Sequence, residues 1–330
     1  MTAALEAAGR LADEVLLPRA AQSDAATAVP VESLDELATA GFYGLFGPAE
    51  AGGLGLGAAE ALSVIERLAT GCLTTTFVWL QHHGAVRAVA AAPDQIKEEW
   101  LRPLCRGERR SGVAFAGLRR PGPPLLTARA EAGGYVLDGS APWVTGWGNI
   151  DVLLTAARLE DGEGDIAWVL IDAKQGQGLA VEEMALMAVN GSSTVTARFD
   201  RYLAPADRLL RTEPFEQWRA RDAAGLRTNG SLCLGLAWRC ATMLAAPGLH
   251  ARIDRCRDAL DNADLPGLPA ARAAASKLAL DSATSLVVAT GGRAILTTEL
   301  AQVLMRQAVF LLVFGQTAAI RAAQLAAMSS

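Results

Sequence analysis

The chain has 330 residues, 51% hydrophobic and 20% charged, with a formal net charge of −5. That length exceeds what one hydrophobic core usually serves, so two or three domains are expected. The acidic balance offers no general attraction to nucleic acid or to an anionic membrane surface. Five cysteines (Cys72, Cys105, Cys233, Cys240, Cys256) form no C-x-x-C or zinc-type spacing, which reads as reduced, mostly buried thiols and a cytoplasmic setting. Met1 to Arg19 carries Glu6, Asp13 and Glu14 and lacks a basic segment followed by an apolar one, so no signal peptide is expected. The longest apolar run, Ala308 to Ile320, falls short of the about 20 residues that span a bilayer.

Residues 1–112 read as helices. Leu5, Ala8, Leu11, Ala12, Val15 and Leu16 recur at helical spacing up to Pro18. Ser33 predicts an N-cap for a helix through Ala40, with Glu36 closing a capping box. The glycine-rich stretch from Gly44 to Gly57 follows no strand and matches no phosphate-binding pattern, so it is expected to be a structural loop. Ala58 to Thr70 and Thr75 to Ala92 are helical by period, and Asp94 predicts a cap for a helix through Leu101. His82 and His83 are adjacent, hence roughly 100° apart on a helix, and cannot share one metal. One of them facing a cleft and both simply packed are the two readings, and no metal site is expected.

Over 113–211 the apolar period becomes two. Ser193 to Phe199 alternates, Ile166 to Asp172 is a continuous apolar strand, and Gly133-Gly134 and Asp161 to Asp165 punctuate hairpins. The pattern predicts a small antiparallel barrel or sandwich of six to eight strands. Within it, Ala141-Pro142-Trp143-Val144-Thr145-Gly146-Trp147 stands out. Either it is a corner whose indoles fill core, or an indole face and a hydroxyl meet a flat, electron-poor heterocycle.

Residues 212–330 are helical again: Phe215 to about Ala246, Leu249 to Ala263, Pro269 to about Ala289 and Thr298 to about Met328. Pro247-Gly248, Pro266-Gly267 and Gly291-Gly292 break them into a four-helix bundle. The run Arg252, Asp254, Arg255, Arg257 and Asp258 reads as a solvated face.

Taken in order, these pieces resemble the acyl-CoA dehydrogenase superfamily over essentially the whole chain. The resemblance is carried by Gly41 to Leu45 with Pro48, Glu50 and Gly52 to Gly55. Gln95 to Leu101 with Pro103-Leu104 follows, then Tyr135 to Thr145 ending in Trp-x-Thr. Gly191 to Thr194 with Phe199-Asp200, and Gly291-Gly292 with Arg306 to Thr317, complete it. It implies an N-terminal α-helical domain, a middle β domain and a C-terminal four-helix bundle. It also implies FAD, with Phe115, Ala116, Trp143, Val144, Thr145, Gly291 and Gly292 as cofactor-binding positions. Trp143 would pack on the isoalloxazine and Thr145 would hydrogen-bond near N5. The implied partners are acyl-CoA or another acyl thioester, an electron-transferring flavoprotein, and further copies in a homodimer or homotetramer, or a related subunit in a hetero-oligomer.

The family removes an α-proton with a carboxylate while a hydride passes to the flavin. Here the usual glutamate before Gly-Thr falls on Gly315 or Phe314, and the alternative stretch Gly225 to Leu232 contains no carboxylate. The chain thus resembles an atypical, shortened member lacking that glutamate. Asp222 and Glu299 are the substitute base candidates. A Thr-Glu-Pro-Gly segment of the family is replaced by Ala116 to Pro124, and a bundle hairpin is shortened to Asp261 through Pro269. Arg119, Arg120 and Arg227 are substrate-binding candidates. The first two would meet phosphates of FAD or CoA, or stand as an exposed pair with no specific role. Three functions follow: an FAD-dependent α,β-desaturase of acyl thioesters, a flavin-dependent monooxygenase, or a non-catalytic subunit completing FAD binding in a hetero-oligomer.

Overall fold

The computed structural model describes residues 2–160 and 164–328. Six helices come first: α1 (Ala3–Arg10, continued by a π turn Leu11–Leu16), α2 (Ala20–Ala25), α3 (Val31–Thr39), α4 (Ala58–Ala69), α5 (Leu73–Ala90) and α6 (Asp94–Arg106). Helix α5 is buried on nearly every side, which is why its sequence is apolar all round rather than in one stripe. Several of its polar residues find individual partners, while both ring nitrogens of His83 have none among the described residues. Cys72 Sγ accepts from Thr75 N at its start, and Gln307 Nε2 donates to Thr74 Oγ1. Midway along it His82 Nδ1 accepts from Ser111 N at 3.1 Å, and its Nε2 lies 3.1 Å from Leu104 O. His83 is equally buried, edge-on to Phe46 and Trp79. Both histidines are therefore packed, and among the described residues no cluster could hold a metal.

Three expectations for this region change. Helix α3 starts at Val31, because φ-restricted Pro30 sets its entry and Ser33 N already donates to Pro30 O. Ser33 is thus internal, its hydroxyl accepting from Arg19 Nη1, and there is no capping box. Helix α6 runs past Leu101 to Arg106 and is stopped by left-handed Gly107, where a side chain would collide with the Tyr43 ring at 2.9 Å. Helix α2 carried too short a period to be seen. The loop from Gly44 to Gly57 is structural, since a side chain on Gly53 would meet Gly47 O at 1.9 Å.

Eight strands follow: β1 (Ser111–Ala114), β2 (Leu126–Glu131), β3 (Gly134–Val144), β4 (Val152–Leu159), β5 (Ile166–Asp172), β6 (Leu179–Glu183), β7 (Val195–Pro205) and β8 (Leu209–Glu213). The order is β6-β7-β3-β2-β4-β5-β8, with β1 also on β4. The sheet is mixed rather than wholly antiparallel, because β1 and β2 both run parallel to β4. Hairpin signals report only strands adjacent in sequence, so these crossovers are not readable from them. The turn expected at Asp161 to Asp165 lies partly outside the described residues.

Helices α7 (Phe215–Asp222), α8 (Leu226–Met243), α9 (Pro247–Asn262), α10 (Leu268–Thr290), α11 (Leu300–Val313) and α12 (Ala318–Met328) complete the chain. The last expected helix is two, because Gly315 takes φ +61 and Thr317 Oγ1 accepts from Ile320 N to start α12. One apolar core runs through the N-terminal helices and the bundle, joined where α4 meets α8. Gly235 permits this contact, since a Cβ there would lie 2.4 Å from Glu66 O. Arg239 on α8 donates to Thr70 O and Asp13, reinforcing the joint. Arg306 on α11 ties the molecule together at another point. It donates to Met187 O at 2.9 Å in the loop before β7, and also pairs with buried Asp24 on α2.

Burial holds the His82 imidazole at about 3 and that of His83 well below its ordinary range. Both are neutral when folded and take up protons when unfolded near 6.5. Their contribution is complete above about pH 6.5 and is lost as pH falls toward the folded values. Asp24 and Glu66 are raised by burial and act with the opposite sign, adding stability as pH falls. Unfolding free energy should therefore fall between pH 7.5 and 5.5. His82→Gln, which keeps a donor and an acceptor, should lessen that slope by up to about 1.4 kcal/mol per pH unit. Denaturant titrations at three pH values check this.

Candidate functional site

The site is built at the end of β3. Opposite β7, Ala141 pairs with Ala197 and Val144 with Val195, so three steps on β3 match two on β7. The extra residue is a bulge, and it turns Trp143 outward with φ 64 and 53% exposure. A bulky residue in the left-handed region stores strain, and its neighbours do the same: Val189 has φ 52 and Ser193 has φ 47. Gly146 N donates to Ser192 O at 2.8 Å and Trp147 N to Ser193 O at 3.1 Å, stitching the two strained turns together.

Between them lies a buried chain of hydroxyls. Ser192 Oγ and Thr194 Oγ1 are 2.7 Å apart, and Thr194 Oγ1 and Thr145 Oγ1 are 3.1 Å apart. Three hydroxyls own three protons, and two bonds use two of them. If Ser192 donates to Thr194 and Thr194 to Thr145, the Thr145 proton is left for an outside acceptor. Val144 is buried beside it, while Phe115 and Ala116 lie close by on the turn Ala116–Arg119. A Cβ on Gly117 in that turn would be 3.8 Å from the Pro142 ring. Phe115 packs edge-on to Trp168. Five of the expected cofactor positions, Phe115, Ala116, Trp143, Val144 and Thr145, thus share one corner. Ser192 and Thr194 were missed as site residues, although the hydroxyl-rich Gly191-Ser192-Ser193-Thr194 turn was visible.

Gly291 and Gly292 are not brought to that corner. They end α10 on an open surface, with no atom within 4 Å of either hypothetical Cβ. Val288 (76% exposed), Ile295 (80%) and Leu296 surround them.

All but one of the charged candidates are already engaged. Arg119 Nε and Nη2 donate to Asp222 at 2.7 and 2.6 Å, a bidentate pair joining the Ala116–Arg119 turn to α7. Glu299 accepts from Arg293 Nη2 at 2.6 Å. Arg227 is held by Asp261 and Ser231, and Arg120 is exposed on the loop. Neither Asp222 nor Glu299 presents a free carboxylate. At the position where the resemblance expects the base, Gly315 faces Asn229, whose Nδ2 lies 2.8 Å from where a Cβ would be. Asn229 on α8 and Gly315 beyond α11 therefore share one spot. Sequence reasoning examined both stretches for carboxylates and so passed over the amide.

Residues 2–108 match the model of the acyl-CoA dehydrogenase N-terminal domain. The chain is 29% identical over 238 residues to benzylmalonyl-CoA dehydrogenase of Aromatoleum aromaticum, covering 69% of this chain and 62% of that one. The chain is thus similar to acyl-CoA dehydrogenases, and its first third matches their N-terminal domain. Its fold superimposes on butyryl-CoA dehydrogenase of Megasphaera elsdenii with TM-score 0.85 and 18% identity, covering 100% and 99% of the two chains. A structure of PigA with FAD and proline matches with TM-score 0.83 and 19% identity, covering 99% and 96%. The chain spans 40%, 62% and 48% of the length of three curated relatives that it matches. The helical–β–helical order is that of the superimposed structures, while Asn229 and Gly315 stand where the resemblance expects a glutamate.

The left-handed φ at Trp143 costs about 1–2 kcal/mol, and the side chain is half exposed. Trp143→Gly should raise the unfolding free energy of the protein without cofactor by about 1 kcal/mol. Urea denaturation of both forms checks this; a loss of stability would mean that the indole is structural.

Proposed function

We propose that the chain binds FAD at the Trp143–Thr145 corner and acts as an oxidoreductase on an acyl thioester, with α,β-desaturation as its reaction class. The observation that carries this reading is the pairing of an exposed indole on strained backbone with a buried chain of three hydroxyls, whose two bonds leave one proton unspent. When bound, FAD supplies a two-electron acceptor for hydride. Trp143 offers a flat face for stacking, and Thr145 offers a donor held in place by Thr194 and Ser192. The strained turns keep both groups in position before any ligand arrives, as a preorganised site requires. Arg119, clasped to Asp222, fixes the turn that carries Phe115 and Ala116 against this corner. Gly291, Gly292 and the exposed Val288, Ile295 and Leu296 form a surface suited to a second subunit, in a homo-oligomer or with a related chain. Electron transfer to an electron-transferring flavoprotein and a cytoplasmic setting belong to the same proposal.

A second reading is favoured by the spot that holds Asn229 and Gly315. With Asp222 and Glu299 already paired, the side chains there offer no carboxylate to take an α-proton. Chemistry that needs no such base, as in a flavin-dependent monooxygenase, or a role as the FAD-completing subunit of a hetero-oligomeric dehydrogenase, accommodates that arrangement.

An anaerobic visible spectrum before and after adding a panel of acyl-CoAs separates these readings. Desaturation predicts a bound-flavin spectrum that bleaches with one class of acyl chain. Bound flavin that never bleaches overturns desaturation in favour of the base-free chemistry. Flavin retained only on co-purification with a related dehydrogenase subunit would establish the completing role. Thr145→Val should weaken flavin retention in every case, by about tenfold for a lost buried hydrogen bond.

A further inference from the structure

The end of α11 carries a feature that the function above does not use. Arg272 on α10 is 1% exposed. Its Nη2 donates to Leu311 O at 2.9 Å and to Phe314 O at 3.3 Å, capping the end of α11. Capping uses that nitrogen alone. Nε and Nη1 are buried with no hydrogen-bond partner, and among the described residues no carboxylate pairs with the guanidinium. A buried cation without a counter-anion is costly, and the cost falls when an anion arrives. The carbonyl of Phe314 that Arg272 holds is one bond from Gly315, and Gly315 faces the Asn229 amide. No hydrogen bond occupies that amide within the described residues, and Phe314, Gly315 and Asn229 all retain partial exposure. Cys233, one turn along α8 from Asn229, also lies within the field of Arg272, whose charge works against the burial that raises its thiol.

Where the superfamily pattern expects a negative side chain, this chain therefore has a donor in front and a positive charge behind. We infer that this spot receives a negative group from the substrate: an acyl thioester bearing a carboxylate on Cα, of the malonyl type. A general base at this position would reach the α-proton, so a substituent lying here must be attached to Cα. Asn229 Nδ2 donates to the carboxylate directly. Arg272 acts as a positioning residue, supplying charge through the Phe314–Gly315 peptide that it holds. This inference rests on the acyl-thioester reading and narrows its substrate class. It involves binding alone.

Calorimetric titration of the FAD-loaded protein with malonyl-CoA and with propionyl-CoA tests it, because the two differ by a carboxylate in place of a methyl group on Cα. Malonyl-CoA should bind at least about tenfold more tightly, as expected for a charge-assisted hydrogen bond. Asn229→Leu should abolish the preference while leaving propionyl-CoA binding in place. Arg272→Lys should keep the preference and Arg272→Met should lose it. If Arg272→Met does not fold, Asn229→Leu decides alone. Equal binding of the two thioesters to the unmodified protein overturns this inference and leaves the acyl-thioester reading standing. Binding of neither overturns both. A preference that survives in Asn229→Leu overturns the site assigned here and makes Arg272 a helix cap only.

Discussion

The grip of Arg306 on its surroundings holds the three parts of the chain in one arrangement. A single guanidinium from α11 reaches Met187 O in the loop leading to β7, and Asp24 on α2. Asp24 is buried, and burial raises its pKa while the arginine works against that rise. Opposite charges withdrawn from water are tolerated only when geometry and further hydrogen bonds satisfy them. Gln302 accepts from Arg306 Nε and completes the set. The loop that Arg306 fixes runs directly into Val189, Ser192 and Thr194, so the hydroxyl chain inherits its position from this contact. The joint of α4 with α8 is the apolar counterpart, made possible by the missing Cβ of Gly235.

Strain gathers at the corner which that contact supports. Among the described residues, five outside glycine have positive φ, and three of them (Trp143, Val189, Ser193) surround the buried hydroxyls. A fold keeps such conformations where neighbouring structure over-determines them, and they concentrate where a ligand is to be received. The β3 bulge and the two backbone bonds from Gly146 and Trp147 provide that over-determination here. The indole consequently stands free of the sheet, although Ala141 and Val144 on either side of it are buried.

The bundle follows a different logic. Charged groups that looked available in sequence are spent on structure: Arg119 with Asp222, Arg293 with Glu299, Arg227 with Asp261. Arg272, which caps α11, is a buried guanidinium with no carboxylate partner among the described residues. Electrostatic character at the end of α11 thus comes from a residue with no exposed surface of its own, acting beside the neutral amide of Asn229.

Much of the architecture was legible because periodicity is local. The change from helical spacing to alternation near residue 113 and back near 212 reflects which faces are buried, and burial is written into consecutive residues. The Trp143-Val144-Thr145 motif was legible for the same reason, being a compact and unusual composition. The parallel partners of β4 were not, since pairing between distant strands leaves no local mark. Ser33 misled because a proline three residues earlier set the helix entry first. The chain by itself determined the helical–β–helical order, the indole–hydroxyl corner and the absence of a carboxylate where one was expected. Only the tertiary structure decided that Asp222 and Glu299 are already paired, that Ser192 and Thr194 hold Thr145, and that Asn229 and Arg272 meet around Gly315. Arg119 with Asp222, Thr194 with Thr145 and Arg272 with Phe314 are tens of positions or more apart, and such proximity exists only once the core has closed.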